Sequence, residues 1–151
     1  MIPVIFIILI IQAIENKTIE HKTFNDLQEK IDYFFDAELI LDSDYTFDPS
    51  KDKTTGIIIK RPLTIEGQGF KINGLNQARI FEIYNSNVTF KRVFFINGFS
   101  KEFGGAINLF NSSLELIICD FSYNSANIKG GAIYLNNSYL IFLIVISNQI
   151  L

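Results

Sequence analysis

One cysteine in 151 residues leaves no partner for an internal disulfide, so Cys119, set in an apolar run, is read as a buried thiol. The lone histidine, His21, has no second histidine or nearby cysteine with which to share a metal. It is read as a structural or solvated side chain, and no metal or cofactor is expected. Basic clusters are absent: 13 Lys and Arg are scattered against 16 Asp and Glu, for a net charge of −3. Nothing there follows a phosphate backbone, so nucleic acid is not expected as a partner. Charge itself runs out along the chain, with 12 acids against 7 bases between Glu15 and Glu66 and no charged residue after Lys129. Tryptophan is missing, yet 15 Phe help bring the apolar fraction to 48%, which excludes a disordered chain. The length suits one domain with a real core.

What is present is a repeat. Gly104-Gly105-Ala106-Ile107 returns 26 residues later as Gly130-Gly131-Ala132-Ile133. Each copy follows a Phe-x-x-Asn unit, Phe94 to Asn97 before the first and Phe121 to Asn124 before the second. Periods of this size mark solenoids, in which each repeat buries its apolar face only against its neighbours. The glycine pairs are not phosphate loops, because no Lys-Ser/Thr and no helical pattern follows them. They are read as tight returns between coils.

Residues 1–14 carry no side-chain charge, and Ile2 to Ile11 is nearly all aliphatic. That stretch is too short to span a bilayer alone but fits the apolar region of a secretory signal, with Ala13 as a small residue at a cleavage position. Its alternative is a buried or membrane-lying N-terminal segment. Residues 15–36 are read as a linker and a capping helix. Thr23 caps, Asp26 is acidic in the first turn, and Phe24, Leu27, Ile31 and Phe34 or Phe35 form an apolar stripe. Such a helix covers the open first coil.

Strand patterns occupy residues 37–151. Leu39-Ile40-Leu41, Tyr45-Thr46-Phe47, Ile57-Ile58-Ile59 and Leu63-Thr64-Ile65 are separated by polar turns, with Pro62 at a corner. Gly67-Gln68-Gly69 and Asn73-Gly74 are read as turns with positive φ. From Arg79 onward, Ile80, Ile107 and Ile133 are placed in one register, which aligns Glu82 with Leu109 and Leu135. A second series runs through Val88, Leu114 and Leu140. Between the two lies an Asn/Ser corner: Asn85-Ser86-Asn87, Asn111-Ser112-Ser113 and Asn136-Asn137-Ser138. Asparagine tolerates left-handed corners and bonds along a stack. The expected architecture is all-β, a right-handed parallel β-helix with a short N-terminal capping helix. Leu140 to Ile146 is apolar on both faces with no polar cap, so the β-helix is expected to be truncated at its C-terminus.

The paired Gly-Gly-Ala-Ile and Phe-x-x-Asn motifs resemble the repeat of chlamydial polymorphic outer membrane proteins. From Phe24 through Tyr134 the chain is more similar to the adhesin-like surface proteins of methanogenic archaea. The resemblance runs through Leu63-Thr64-Ile65-Glu66-Gly67-Gln68-Gly69, Ile72-Asn73-Gly74, Asn76-Gln77-Ala78-Arg79-Ile80-Phe81 and Phe94-Phe95-Ile96-Asn97-Gly98. It implies an exported, cell-surface repeat protein with an adhesive role, touching the membrane only through its leader. It transfers no catalytic residues, since the matching motifs are structural.

Catalysis on a β-helix needs paired carboxylates on one face, or carboxylates holding Ca²⁺ beside a base. In the expected register no two acids share adjacent coils, so no enzyme is expected. Asp42, Asp44, Asp48 and Asp52 form an acidic tract that lacks the glycine and terminal Glu of a calcium loop and reads as a solvated turn. Asn16-Lys17-Thr18, Asn87-Val88-Thr89, Asn111-Ser112-Ser113 and Asn136-Asn137-Ser138 match the N-glycosylation pattern, in keeping with export. Lys91, Arg92, Lys101 and Lys129 read as solvent-facing, with an acidic surface polymer as the alternative partner. The expected function is a secreted or surface-attached adhesin-like module that binds a glycan or protein through its flank. The alternatives are a carbohydrate-active β-helix enzyme and a non-functional fragment of a longer surface protein.

Overall fold

The computed structural model describes residues 3–5 and 21–143. The expected leader (apart from 3–5), Asn16-Lys17-Thr18 and the last apolar residues of the chain lie outside them. Among the described residues no helix is long and apolar enough to cross a membrane.

The chain winds as a parallel β-helix. Its first turn runs from β1 (Lys22–Thr23) into α1 (Phe24–Tyr33). The second contains β2 (Glu38–Ile40), β3 (Tyr45–Thr46) and β4 (Ile57–Ile59), and the third β5 (Leu63–Glu66), β6 (Lys71–Asn73) and β7 (Phe81–Tyr84). The fourth adds a short strand: β8 (Asn87–Lys91), β9 (Phe94–Ile96), β10 (Phe99–Ser100) and β11 (Ile107–Phe110). The fifth repeats that plan with β12 (Ser113–Ile117), β13 (Asp120–Ser122), β14 (Ser125–Ala126) and β15 (Ile133–Asn136), after which β16 (Tyr139–Leu143) begins another. Stacked turns make three parallel sheets: β2-β5-β8-β12-β16, β1-β3-β6-β9-β13 and β4-β7-β11-β15. A two-stranded sheet, β10-β14, adds a fourth ladder.

Alternation explains how each strand sits. In β8, Val88 and Phe90 turn inward while Asn87, Thr89 and Lys91 face out, and β12 repeats this with Leu114 and Leu116 inside. Phe81, Phe90 and Phe95 meet at the centre, with centroids 4.9 and 5.1 Å apart along the chain of contacts. Phe95 stacks on Phe121 of the next turn at 4.6 Å.

The corner between the first and third kinds of strand is as expected. Asn85, Asn111 and Asn137 stand 26 residues apart with φ of 47°, 47° and 48°. Asn137 Nδ2 donates to Asn111 Oδ1 at 2.8 Å. Serines add a ladder of their own: the Ser86 N–H donates to Ser112 Oγ, and the Ser112 N–H to Ser138 Oγ.

Three expectations need correction. Ile107 pairs with Phe81, not Ile80, so Phe81, Ile107 and Ile133 share one register at a spacing of 26. Ile80 and Phe81 are both fully buried, and both of their N–H groups reach the Ala106 carbonyl, so two consecutive inward residues shift the apparent register by one. Glu82 therefore sits beside Asn108 rather than Leu109, and Asn108 beside Tyr134. In α1, Phe24, Leu27 and Ile31 are buried, but Phe34 and Phe35 are 41% and 94% exposed, because the helix ends at Tyr33 and the chain leaves its face. Finally, the left-handed residues after β6 are Leu75 and Asn76, not Asn73 and Gly74.

The helix closes the N-terminal end by specific bonds. Thr23 and Asp26 form the capping box. Midway along α1, Gln28 presents its amide to the edge of β4: Nε2 donates to the Ile58 carbonyl at 3.0 Å, and Oε1 accepts the Ile58 N–H at 2.7 Å. A side chain thus makes the bonds that another strand would make.

Candidate functional site

The loop before β4 and the corner after it grip α1 at both ends. Asp52 accepts the Phe24 and Asn25 N–H groups at 3.1 and 2.8 Å, placing a carboxylate at the positive end of the helix. Arg61 donates to the carbonyls of Ile31, Phe34 and Asp36 at the other end. Between these clamps, with Gln28 bridging the helix to Ile58, runs a groove of about 570 Å³. Buried Phe24, Ile31 and Ile57 form its floor. Lys51, Lys53, Lys60 and Arg61 line it against only Asp32 and Asp52, four cations to two carboxylates in a chain whose net charge is −3. Asp52 is taken up by backbone amides, and Lys51 lies 3.9 Å from Asp48. Lys53 and Lys60 make no ion pair among the described residues.

The groove opens onto the outer face of β4-β7-β11-β15. Lys60 Nζ stands 5.9 Å from the centre of the Tyr84 ring, and Tyr84 stacks on Phe110 at 5.0 Å with planes 6° apart. Because the rings stack face to face along the solenoid axis, their partly positive edges form the outer surface. Beside this row the side chains are locked. Arg79, buried, donates to Glu82 Oε1 at 2.8 Å, to the Gly104 and Phe103 carbonyls and to Ser100 Oγ, which ties the loop after β10 to the third turn. Phe103 stacks on Tyr134 at 4.5 Å. Burial, and then the hydrogen bond to Glu82, push the Tyr84 phenol up, so it stays a proton donor. Asn108 Oδ1 is buried there without a hydrogen-bond partner.

The repeat motifs do structural work elsewhere. Gly104 and Gly130 are left-handed, with φ of 60° and 68°. Gly105 lies between turns, where a Cβ would meet the Gly131 and Ser125 carbonyl oxygens at 2.2 Å. Ala106 and Ile107 continue into buried positions, whereas Ala132 and Ile133 in the last full turn are half-buried. The Phe-x-x-Asn units are offset by one residue. Phe95, not Phe94, pairs with Phe121, and the Gly98 N–H, not Asn97, meets Asn124 Oδ1 at 2.7 Å. Asn97 instead donates to Asn73 at 3.0 Å.

The other sequence candidates are occupied. Asp42 binds Lys22 and Lys30 at 2.6 and 2.9 Å, which hold its carboxyl well below the usual range. Asp44 accepts the Lys71 N–H and Asp48 the Ser50 N–H, so the acidic tract is spent on turns. Lys91 pairs with Glu38 and Arg92 with Glu66, leaving Lys101 and Lys129 exposed without ion pairs among the described residues. Cys119 is half-buried; burial raises its thiol, which donates to the Phe90 carbonyl at 3.3 Å. The groove escaped the sequence reading because its lysines belong to non-repeating loops. A cluster of Lys51, Lys53, Lys60 and Arg61 around one strand was the available signal. The chain matches no protein-family model, no curated protein and no solved structure.

Proposed function

We propose that this protein is a secreted or cell-surface, adhesin-like binding module that takes a glycan along the groove and the flank it opens onto. The observation that carries the reading is the continuity of the two. Lys60 lines the groove and also heads the Tyr84–Phe110 row. A parallel solenoid spaces its strands about 4.8 Å apart, so an extended polymer lying along the axis crosses one rung after another.

Binding without catalysis fits the placement of the acids. Glu38 and Glu115 share one outward row, but Thr64 and Thr89 stand between them. Three rungs separate the carboxylates by about 14 Å, wider than the roughly 5 to 9.5 Å that glycosidic cleavage uses. Glu82 is held by Arg79. The test is a glycan array probed with the full chain and with Lys60→Ala and Tyr84→Ala. Binding of one glycan class that weakens in both variants is expected. Silence across the array, or unchanged binding by both variants, would refute it.

A further inference from the structure

The groove constrains its occupant by charge and by what it cannot accept. Lys53 and Lys60, both exposed and unpaired among the described residues, face a space whose carboxylates are already engaged: Asp52 holds the helix amides, and Asp32 accepts from Gln28. Next to them the Tyr84 and Phe110 rings turn their edges outward, which favours ligand oxygens over apolar faces. An acidic peptide would ordinarily dock on an edge strand by adding backbone hydrogen bonds. That route is closed at β4, because Gln28 already occupies the Ile58 N–H and carbonyl.

We infer that the groove and the Lys60–Tyr84–Phe110 row form one continuous seat for a linear acidic polysaccharide, with carboxylates of the polymer on Lys53 and Lys60. The inference rests on the glycan reading above and narrows it to uronate-type polymers. The rung spacing of about 4.8 Å is close to the length of one pyranose ring, so successive sugars fall on successive turns. Lys101 and Lys129 provide an internal comparison: they carry the same formal charge but lie on the loops after β10 and β14, away from the groove lining.

The experiment is titration calorimetry of the full chain with hexagalacturonate and with its fully methyl-esterified form, which keeps the sugars and removes the charge. The acidic form should bind at least about tenfold more tightly, and added salt should erase the difference. Lys53→Gln with Lys60→Gln should abolish that preference, whereas Lys101→Gln with Lys129→Gln should leave it within about twofold. Circular dichroism of both double variants confirms that exposed changes leave the fold intact. Equal affinity for the two forms overturns the inference, as does equal loss in the comparison variant. Poly-glutamate binding as tightly as hexagalacturonate also overturns it, by reducing the site to a general polyanion surface. If neither form binds while a neutral glycan is captured on the array, the acidic assignment falls and the binding module stands; an array with no hits removes both.

Discussion

Two glycines that look identical in the repeat should differ sharply when changed to alanine. At Gly105 an added Cβ would sit 2.2 Å from the carbonyl oxygens of both Gly131 and Ser125. Both are backbone atoms of the next turn, so no side chain can swing away; relief requires the turns to part by about 1 Å. Parting them stretches the bonds from the Gly105 N–H to Gly131 O at 3.1 Å and from the Ala106 N–H to Ala132 O at 2.8 Å. Overpacking of this kind costs about 1–3 kcal/mol and each weakened bond about 1 kcal/mol, so Gly105→Ala should lose roughly 3–5 kcal/mol. For a chain of this size that is a fall in Tm of roughly 10 °C. Valine at the same place should prevent folding. Gly131 occupies the matching place one turn later, yet its nearest would-be neighbour is Asn124 O at 3.3 Å, because the turn beyond is incomplete among the described residues. Gly131→Ala should change stability by less than about 0.5 kcal/mol. Thermal unfolding of the two full-length variants by circular dichroism decides the matter. Equal melting temperatures would mean that close approach between turns is not what keeps Gly105 a glycine.

Four other outcomes follow from named contacts. Gln28→Ala removes both bonds to Ile58 and leaves a strand edge bare, so it should lower stability by about 1–3 kcal/mol and increase self-association in size-exclusion chromatography. The Asp42 carboxyl is depressed in the folded chain first by Lys22 and then by Lys30, while in the unfolded chain it takes up a proton near pH 3.9. Its contribution is therefore full above about pH 5 and disappears as the pH falls below 4, and Asp42→Asn should flatten that part of an acid-unfolding profile. Asn108→Leu replaces a buried oxygen that has no donor and should hold or raise Tm by up to a few degrees in calorimetry. Ile141 is 51% exposed opposite Glu115, so Ile141→Lys should form a cross-strand pair and lower light scattering from concentrated protein.

Architecture was written in the sequence wherever it repeats. The 26-residue return of Gly-Gly-Ala-Ile, the Asn/Ser corner and the Thr23–Asp26 cap each led to the element now seen. Reading failed where one turn differs from its neighbours. Ile80 and Phe81 both point inward, and no alternation rule reveals which of the two faces Ile107. Likewise Phe94 and Phe95 are the same residue, so the Phe-x-x-Asn spacing chose the wrong one to set against Phe121. The groove depends on contacts made once in the chain, such as Gln28 with Ile58 and Arg61 with the end of α1. Nothing repeated announces them.

A glutamine amide that imitates a peptide group also limits how copies of this chain can assemble. Head-to-tail stacking of solenoids needs an open strand edge, with N–H and carbonyl groups both free, at each end, and it continues without limit. Here Gln28 has withdrawn the N-terminal edge at Ile58 from that exchange. The three sheets of the solenoid therefore cannot all continue from one copy into the next at this end. A single side chain thus opposes the open-ended filament that stacked solenoids would otherwise build.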